Sequence, residues 1–235
     1  MTGFRCASAA MLMLAVTAPA AAAERGFSVT DFDRVRLEGP YAVEIATGRG
    51  TTARASGDRE AIERVSLQVQ GRTLVIRPDR NSWGGYPGEK REGRVVIRLT
   101  TGELRSIALS GSGSMTIDRA RGARVELIVQ GSGRLDIARV ETDRLDIGIM
   151  GSGAVRLGGT VKALNALVRG SAALDGAALT ANDLSLATES AGDVTIGART
   201  SAKVQSTGAG QTVITGKPAC SVTAIGSGSV RCGPP

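Results

Sequence analysis

Ile107-Ala108-Leu109-Ser110-Gly111-Ser112-Gly113-Ser114-Met115-Thr116-Ile117 is the stretch that decides the fold. Taken in twos it separates into an apolar series (Ile107, Leu109, Gly111, Gly113, Met115, Ile117) and a mostly polar one (Ser110, Ser112, Ser114, Thr116). A period of two belongs to a β-strand with one buried face and one wet face. Two glycines in the middle of the apolar series mark a place where the backbone bends or meets another backbone closely.

The pattern returns. Clean triplets stand at Gly131-Ser132-Gly133, Gly151-Ser152-Gly153 and Gly226-Ser227-Gly228, with weaker ones at Gly170-Ser171-Ala172, Ser190-Ala191-Gly192 and Gly208-Ala209-Gly210. From Gly111 on, the first residues lie 20, 20, 19, 20, 18 and 18 apart. The flanks repeat too, as in Leu127, Val129, Leu135, Ile137 and again in Ile147, Ile149, Val155, Leu157. A fixed period of this size is the mark of a solenoid, whose units bury their apolar faces only by stacking.

The expected fold is therefore all-β, a parallel β-solenoid over residues 104–232 with an irregular, strand-rich N-terminal cap over 30–103. Each copy reads as strand, tight bend, strand. Gly111, Gly113, Gly131, Gly133, Gly151, Gly153, Gly226 and Gly228 are the bends, and both glycines of each pair are placed on the inward face. The middle serines form an outward ladder. Within the cap, Val35 to Ile45 alternates as a degenerate first copy with its bend at Gly39-Pro40-Tyr41. Ala53 and Ala55 belong to a further strand, Asp58 caps a short helix, Val65–Val69 and Leu74–Arg77 form a hairpin, and Val95, Ile97 and Leu99 make one more strand.

Residues 1–23 read as a secretory signal: Arg5, a short apolar run with Met11 to Leu14, and a small-residue cleavage site ending at Ala23. The run is too short to span a membrane, and no later segment has 18 consecutive apolar residues. The mature chain, 24–235, is then one exported domain, periplasmic or at the outer surface. Only Cys220 and Cys232 remain in it, an even pair that predicts a disulfide in an oxidising compartment. Each lies six residues from Gly226, so the bond closes the last rung.

Charge is mixed. Removing Arg5 leaves 28 basic and 22 acidic residues, a net +6. Arg and Asp alternate along the outward faces without a basic run, and the three Phe, two Tyr and one Trp offer no stacking platform, so nucleic acid is not an expected partner. The one long irregular segment, Pro78 to Gly93, holds Trp83 and Tyr86, the candidate binding residues. They offer flat rings to a sugar or a protein, although a loop that folds its Trp back on the sheet explains the composition as well.

At Phe32-Asp33-Arg34-Val35, Tyr41-Ala42-Val43-Glu44-Ile45, Leu74-Val75-Ile76 and Ile107 to Met115 the chain resembles the bacterial putative auto-transporter adhesin family with the head GIN domain. The resemblance runs from residue 30 to about 232. It implies a right-handed, pectin-lyase-like β-helix and a role in adhesion or surface association. The family has no functional motif, so it supplies no catalytic residue to carry over.

The chemistry is bounded by what is missing. There is no histidine in the chain, which removes Ser-His-Asp, Cys-His and His-rich zinc sites. Strands flank the Gly-Ser-Gly loops on both sides and no Gly-Lys-Ser/Thr occurs, unlike a phosphate loop. Outward acids (Asp118, Asp136, Asp146, Asp175, Asp193) alternate with Arg and Ser, and no rung stands out as a pair of catalytic carboxylates. Calcium on outward Asp stays open, though the nonapeptide of calcium β-rolls is absent. The expected function is a non-enzymatic adhesion or binding module of the cell envelope, with a surface glycan or envelope protein as partner and no cofactor. The alternatives are a structural envelope or matrix protein and a carbohydrate-active lyase or hydrolase.

Overall fold

The structure, a computed structural model, describes residues 23–79 and 93–233. In chain order it contains β1 (Ala23–Phe27), β2 (Arg34–Glu38), β3 (Ala42–Thr47), β4 (Thr52–Gly57), α1 (Arg59–Glu63), β5 (Val65–Gln70), β6 (Thr73–Pro78), β7 (Val95–Thr101) and β8 (Ser106–Gly111). The repeats follow as β9 (Ser114–Gly131), β10 (Arg134–Gly151), β11 (Ala154–Gly170), β12 (Ala173–Ser190), β13 (Val194–Ser206), β14 (Gln211–Gly216), β15 (Ala219–Ala224) and β16 (Ser229–Cys232). Of the proposed signal segment, 1–23, residues 1–22 lie outside the described residues, and Ala23 opens β1, registering with Gly57.

The repeats form a parallel β-solenoid. The half of each copy before its bend stacks into a back ladder, and the half after it into a front ladder. In the back ladder Leu127 registers with Ile107 and with Ile147; in the front ladder Leu135 registers with Met115 and with Val155. The inward side chains of both ladders meet in a narrow core. Leu109, Met115, Ile117, Val129, Leu135 and Ile149 are among its fully buried members. Each such side chain contributes about 1.5–3 kcal/mol through removal from water, and neighbouring copies supply the cover that a single copy lacks.

The Gly39 copy is a true rung. β2 pairs with β8 in the back ladder and β3 with β9 in the front one, and the Gly39 amide donates to Ser110 O at 3.1 Å. The next rung in sequence does not follow it in space. β6 pairs with the opposite side of β2, and β7 with the opposite side of β3. The chain thus lays its second rung outside its first, then returns to start the long stack. Beyond that outer rung β5 runs antiparallel to β6, β4 antiparallel to β7, and β1 antiparallel to β4. Helix α1 belongs to the same end and buries Ile62. Asp58 is its N-cap, accepting the Ala61 amide at 3.1 Å, and it satisfies one of the donors a helix start leaves open.

The corners correct one expectation. Gly111, Gly131 and Gly151 are exposed, and only Gly113, Gly133 and Gly153 are buried. Gly131 has φ +105°, which points its missing side chain along the stack: a β-carbon there would stand 2.7 Å from Gly111 O. The first glycine therefore lets one rung lie on the next, and the third lets the corner close over the core. Ser112, Ser132, Ser152, Ser171 and Ser227 are all exposed, as an outward ladder requires. At the fifth corner Ser190 replaces glycine and is buried, its hydroxyl donating to Ala172 O at 3.0 Å.

The last rung corrects a second. Cys220, Val222 and Ala224 belong to the inward series by parity but are exposed, because among the described residues no further rung covers them. The disulfide is present: Cys220 on β15 and Cys232 on β16 are bonded across the two ladders, with Cα atoms 6.6 Å apart, inside the range a disulfide accepts.

Candidate binding face

The outer surface of the back ladder is built by the same register that builds the core. Three columns run along the stack. The middle one holds Ala108, Ile128, Gly148, Leu167 and Ala187 on five successive rungs. All five are half-buried, and Met150, beside Gly148 on the same face, is 40% exposed. At about 4.8 Å per rung the column is about 19 Å long. Arg36 bounds it at one end and Gln205 at the other. Gly148 has no atom within 4 Å of where a β-carbon would sit, so the column carries a notch between Ile128 and Leu167.

Several charges beside this stripe are paired, within a rung or across rungs. Asp146 takes Arg124 Nε at 2.8 Å, Arg144 Nε at 3.1 Å and Asn165 Nδ2 at 2.8 Å. Burial pushes its carboxyl up, but the hydrogen bonds from Asn165 and Arg144 and the charges of Arg124 and Arg144 outweigh it and hold Asp146 below the ordinary aspartate range. On the other flank Arg169 Nε meets Glu189 at 3.1 Å. A ligand on this face meets an apolar strip flanked by these ion pairs and by Glu126 and Lys203.

A second surface lies at the corner where the front ladder turns into the back one. It is an open groove of about 640 Å³ whose walls include Glu103, Arg121, Glu141, Asp143, Lys162 and Asn182. Asp143 is paired with Lys162 at 2.7 Å and Glu141 with Arg139 at 3.7 Å.

Three of the remaining outward acids are tied to other residues. Asp118 accepts the Thr47 amide and hydroxyl at 3.0 and 3.1 Å, Asp175 pairs with Arg156 at 3.1 Å, and Asp193 accepts the Gln211 amide at 3.3 Å. Among the described residues no cluster of three acid or cysteine side chains is placed to hold a metal ion. Asp33 is structural as well. Its buried side chain takes Arg72 Nε at 2.9 Å while its carbonyl accepts the Arg105 amide at 2.8 Å, so it joins the starts of β2, β6 and β8. Trp83 and Tyr86 lie outside the described residues. They fall in sequence between β6 and β7, and Pro78, the last residue of β6, sits against Gly39.

The family model described as "Putative auto-transporter adhesin, head GIN domain" matches residues 31–218. The chain belongs to this family. Solved structures share the head GIN fold. One is a putative adhesin from Bacteroides fragilis, 21% identical, covering 90% of this chain and 96% of its own, with a TM-score of 0.79. Another, described as a putative lipid binding protein from Parabacteroides distasonis, is 20% identical over the same shares with a TM-score of 0.66. A putative adhesin from Parabacteroides merdae is 15% identical over the same shares, with a TM-score of 0.66. No curated protein matches the sequence. No helix among the described residues of this head GIN chain is long and apolar enough to cross a membrane.

The stripe was legible as apolar residues at outward parity, a signal hidden by reading the inward series alone. The notch and the pairing of the flanking charges needed the register between rungs.

Proposed function

We propose that the protein is exported through residues 1–23 and acts as a non-enzymatic binding module, attaching to an elongated component of the bacterial surface laid along the back ladder. The observation that carries this reading is the column Ala108, Ile128, Gly148, Leu167, Ala187, kept apolar on the water side of five rungs. An apolar strip rimmed by polar groups is the usual character of an interaction surface. The disulfide fits an oxidising compartment, and the family description of an adhesin fits surface attachment.

The test is a screen of the mature protein against surface glycans, envelope protein extracts and lipid vesicles, repeated with Gly148→Val. That change fills the notch at a position where a β-carbon meets no atom within 4 Å, and valine favours the strand. The melting temperature holds or rises while binding weakens by about tenfold. Undiminished binding by a folded Gly148→Val protein removes the stripe from the function. If the segment from Pro78 to Gly93 contributes a second contact, Trp83→Ala costs ~1 kcal/mol or more of affinity.

The carbohydrate-active alternative has its foothold in the corner groove, which brings Glu103, Glu141 and Asp143 to one surface. Depolymerisation of a uronate polymer by pure protein, lost in Glu141→Gln, would replace the binding reading with that one.

A further inference from the structure

The two ends of the stack differ. At the N-terminal end, antiparallel strands and α1 follow the outermost rung. At the C-terminal end β15 is hydrogen-bonded only to β13 and β16 only to β14, among the described residues, so each leaves one edge of its backbone unpaired. All six residues of β15 are exposed. Val222, 44% exposed, and Ile225, 68% exposed, are two of three large apolar side chains exposed among the described residues, and both belong to this rung. Natural edge strands are usually blunted by charge, proline or a bulge. Ala219-Cys220-Ser221-Val222-Thr223-Ala224 has no charge and no proline, and it pairs with β13 without a bulge. The disulfide fastens this strand to β16, so the edge is held in place.

We propose that this end is an interface between two copies of the chain, joined tail to tail about a two-fold axis perpendicular to the stack. The surface has two open strands, one on each ladder, and Val222, Val230 and Cys232 between them. A single strand from another protein would satisfy one ladder and leave the rest exposed. A second copy presents two open strands at the same separation around the same apolar centre. The opposite end of the chain does not offer this match, because its strands continue antiparallel into β4, β5 and β1.

Such an axis makes the strands meet antiparallel, whereas within each stack they are parallel. Charge selects the arrangement. Arg231 is the sole ionisable side chain on β15 and β16 apart from the bonded cysteines. An axis running along the strands sets β15 of one copy against β16 of the other. Each Arg231 then lies against an uncharged strand, and the two do not oppose each other. The contact is isologous and closes at two.

The oligomeric state of the full, disulfide-bonded mature chain tests this by sedimentation or light scattering over a dilution series. A reversible dimer is expected, and a monomer at every concentration overturns the proposal. Val222→Lys and Thr223→Pro are each expected to weaken dimerisation by roughly tenfold or more, whereas Gln68→Lys on β5, at the other end, leaves it unchanged. A dimer lost through Gln68→Lys and kept in both β15 variants places the interface elsewhere. Hydrogen exchange on the unaltered protein needs no variant to fold: amides from Ser221 to Ala224 are slow in the dimer and speed up on dilution. Equal exchange at all concentrations also rejects it.

Discussion

Gly133 sits so close above Gly113 that a β-carbon on it would lie 2.7 Å from the Gly113 carbonyl oxygen and 2.7 Å from Leu109 Cδ2. The same carbonyl accepts the Arg134 amide at 3.0 Å, so it cannot move away without breaking the ladder. Gly133→Ala is therefore expected to destabilise by about 1–3 kcal/mol through overpacking. Gly148→Ala, in open space on the same stack, is expected to stabilise by about 0.5–1 kcal/mol. Urea melts of the two variants decide whether the glycine pattern is dictated by rung contact.

Val129 tests the core. It is buried beside the second corner, inward on the back ladder. Val129→Asp puts an unpaired carboxyl there and should cost several kcal/mol at neutral pH. Thermal unfolding that barely changes would contradict the inward assignment.

Asp146 makes stability depend on acid. Its folded carboxyl titrates below the usual 3.8, so its contribution is complete above that value and is lost as pH falls through the lower, folded one. Asp146→Asn should cost about 1–2 kcal/mol at pH 7, through weaker bonds to Arg124 and Arg144. The gap to the unaltered protein should narrow once the pH drops below about 4. A gap that stays constant down to strong acid would show that the charge on Asp146 plays no part.

The disulfide closes a separation of 12 residues. In the chain-entropy account that is worth about 3 kcal/mol. Cys220→Ser with Cys232→Ser should release the last rung before the rest, seen as faster hydrogen exchange from Val222 to Val230 while amides in β9 to β11 keep their protection. Uniform loss across the stack would mean that the bond supports the whole fold.

Alternation revealed the ladders because the core is made almost wholly of residues obeying a period of two. It also led to the one misreading at the corners. Gly111 has inward parity, but at a corner parity no longer maps to direction, and its positive φ turns it along the axis. The second corner of each copy was silent for a related reason: Asp118-Arg119 and Ala138-Arg139 keep the strand continuous while breaking the alternation by one residue. Val222 has inward parity yet is exposed, because inwardness depends on a neighbour that the pattern cannot supply. Long-range order was least visible. Nothing local in Leu74 to Ile76 says that it pairs with β2 from outside.

That outside placement gives assembly a direction. The rung from β2 to β3 is flanked by β6 and β7 on one side and by β8 and β9 on the other, all of them made later. The first hundred residues must therefore settle non-local pairings, which are slow to form. From β9 on, each new length of chain finds a finished edge of its own kind waiting about twenty residues behind it, so growth becomes a local, repeated step. A chain emerging from an export channel would close its start first and then lengthen by one rung at a time. Gain or loss of a single copy alters reach by about 4.8 Å and leaves both the starting knot of pairings and the closing bond untouched.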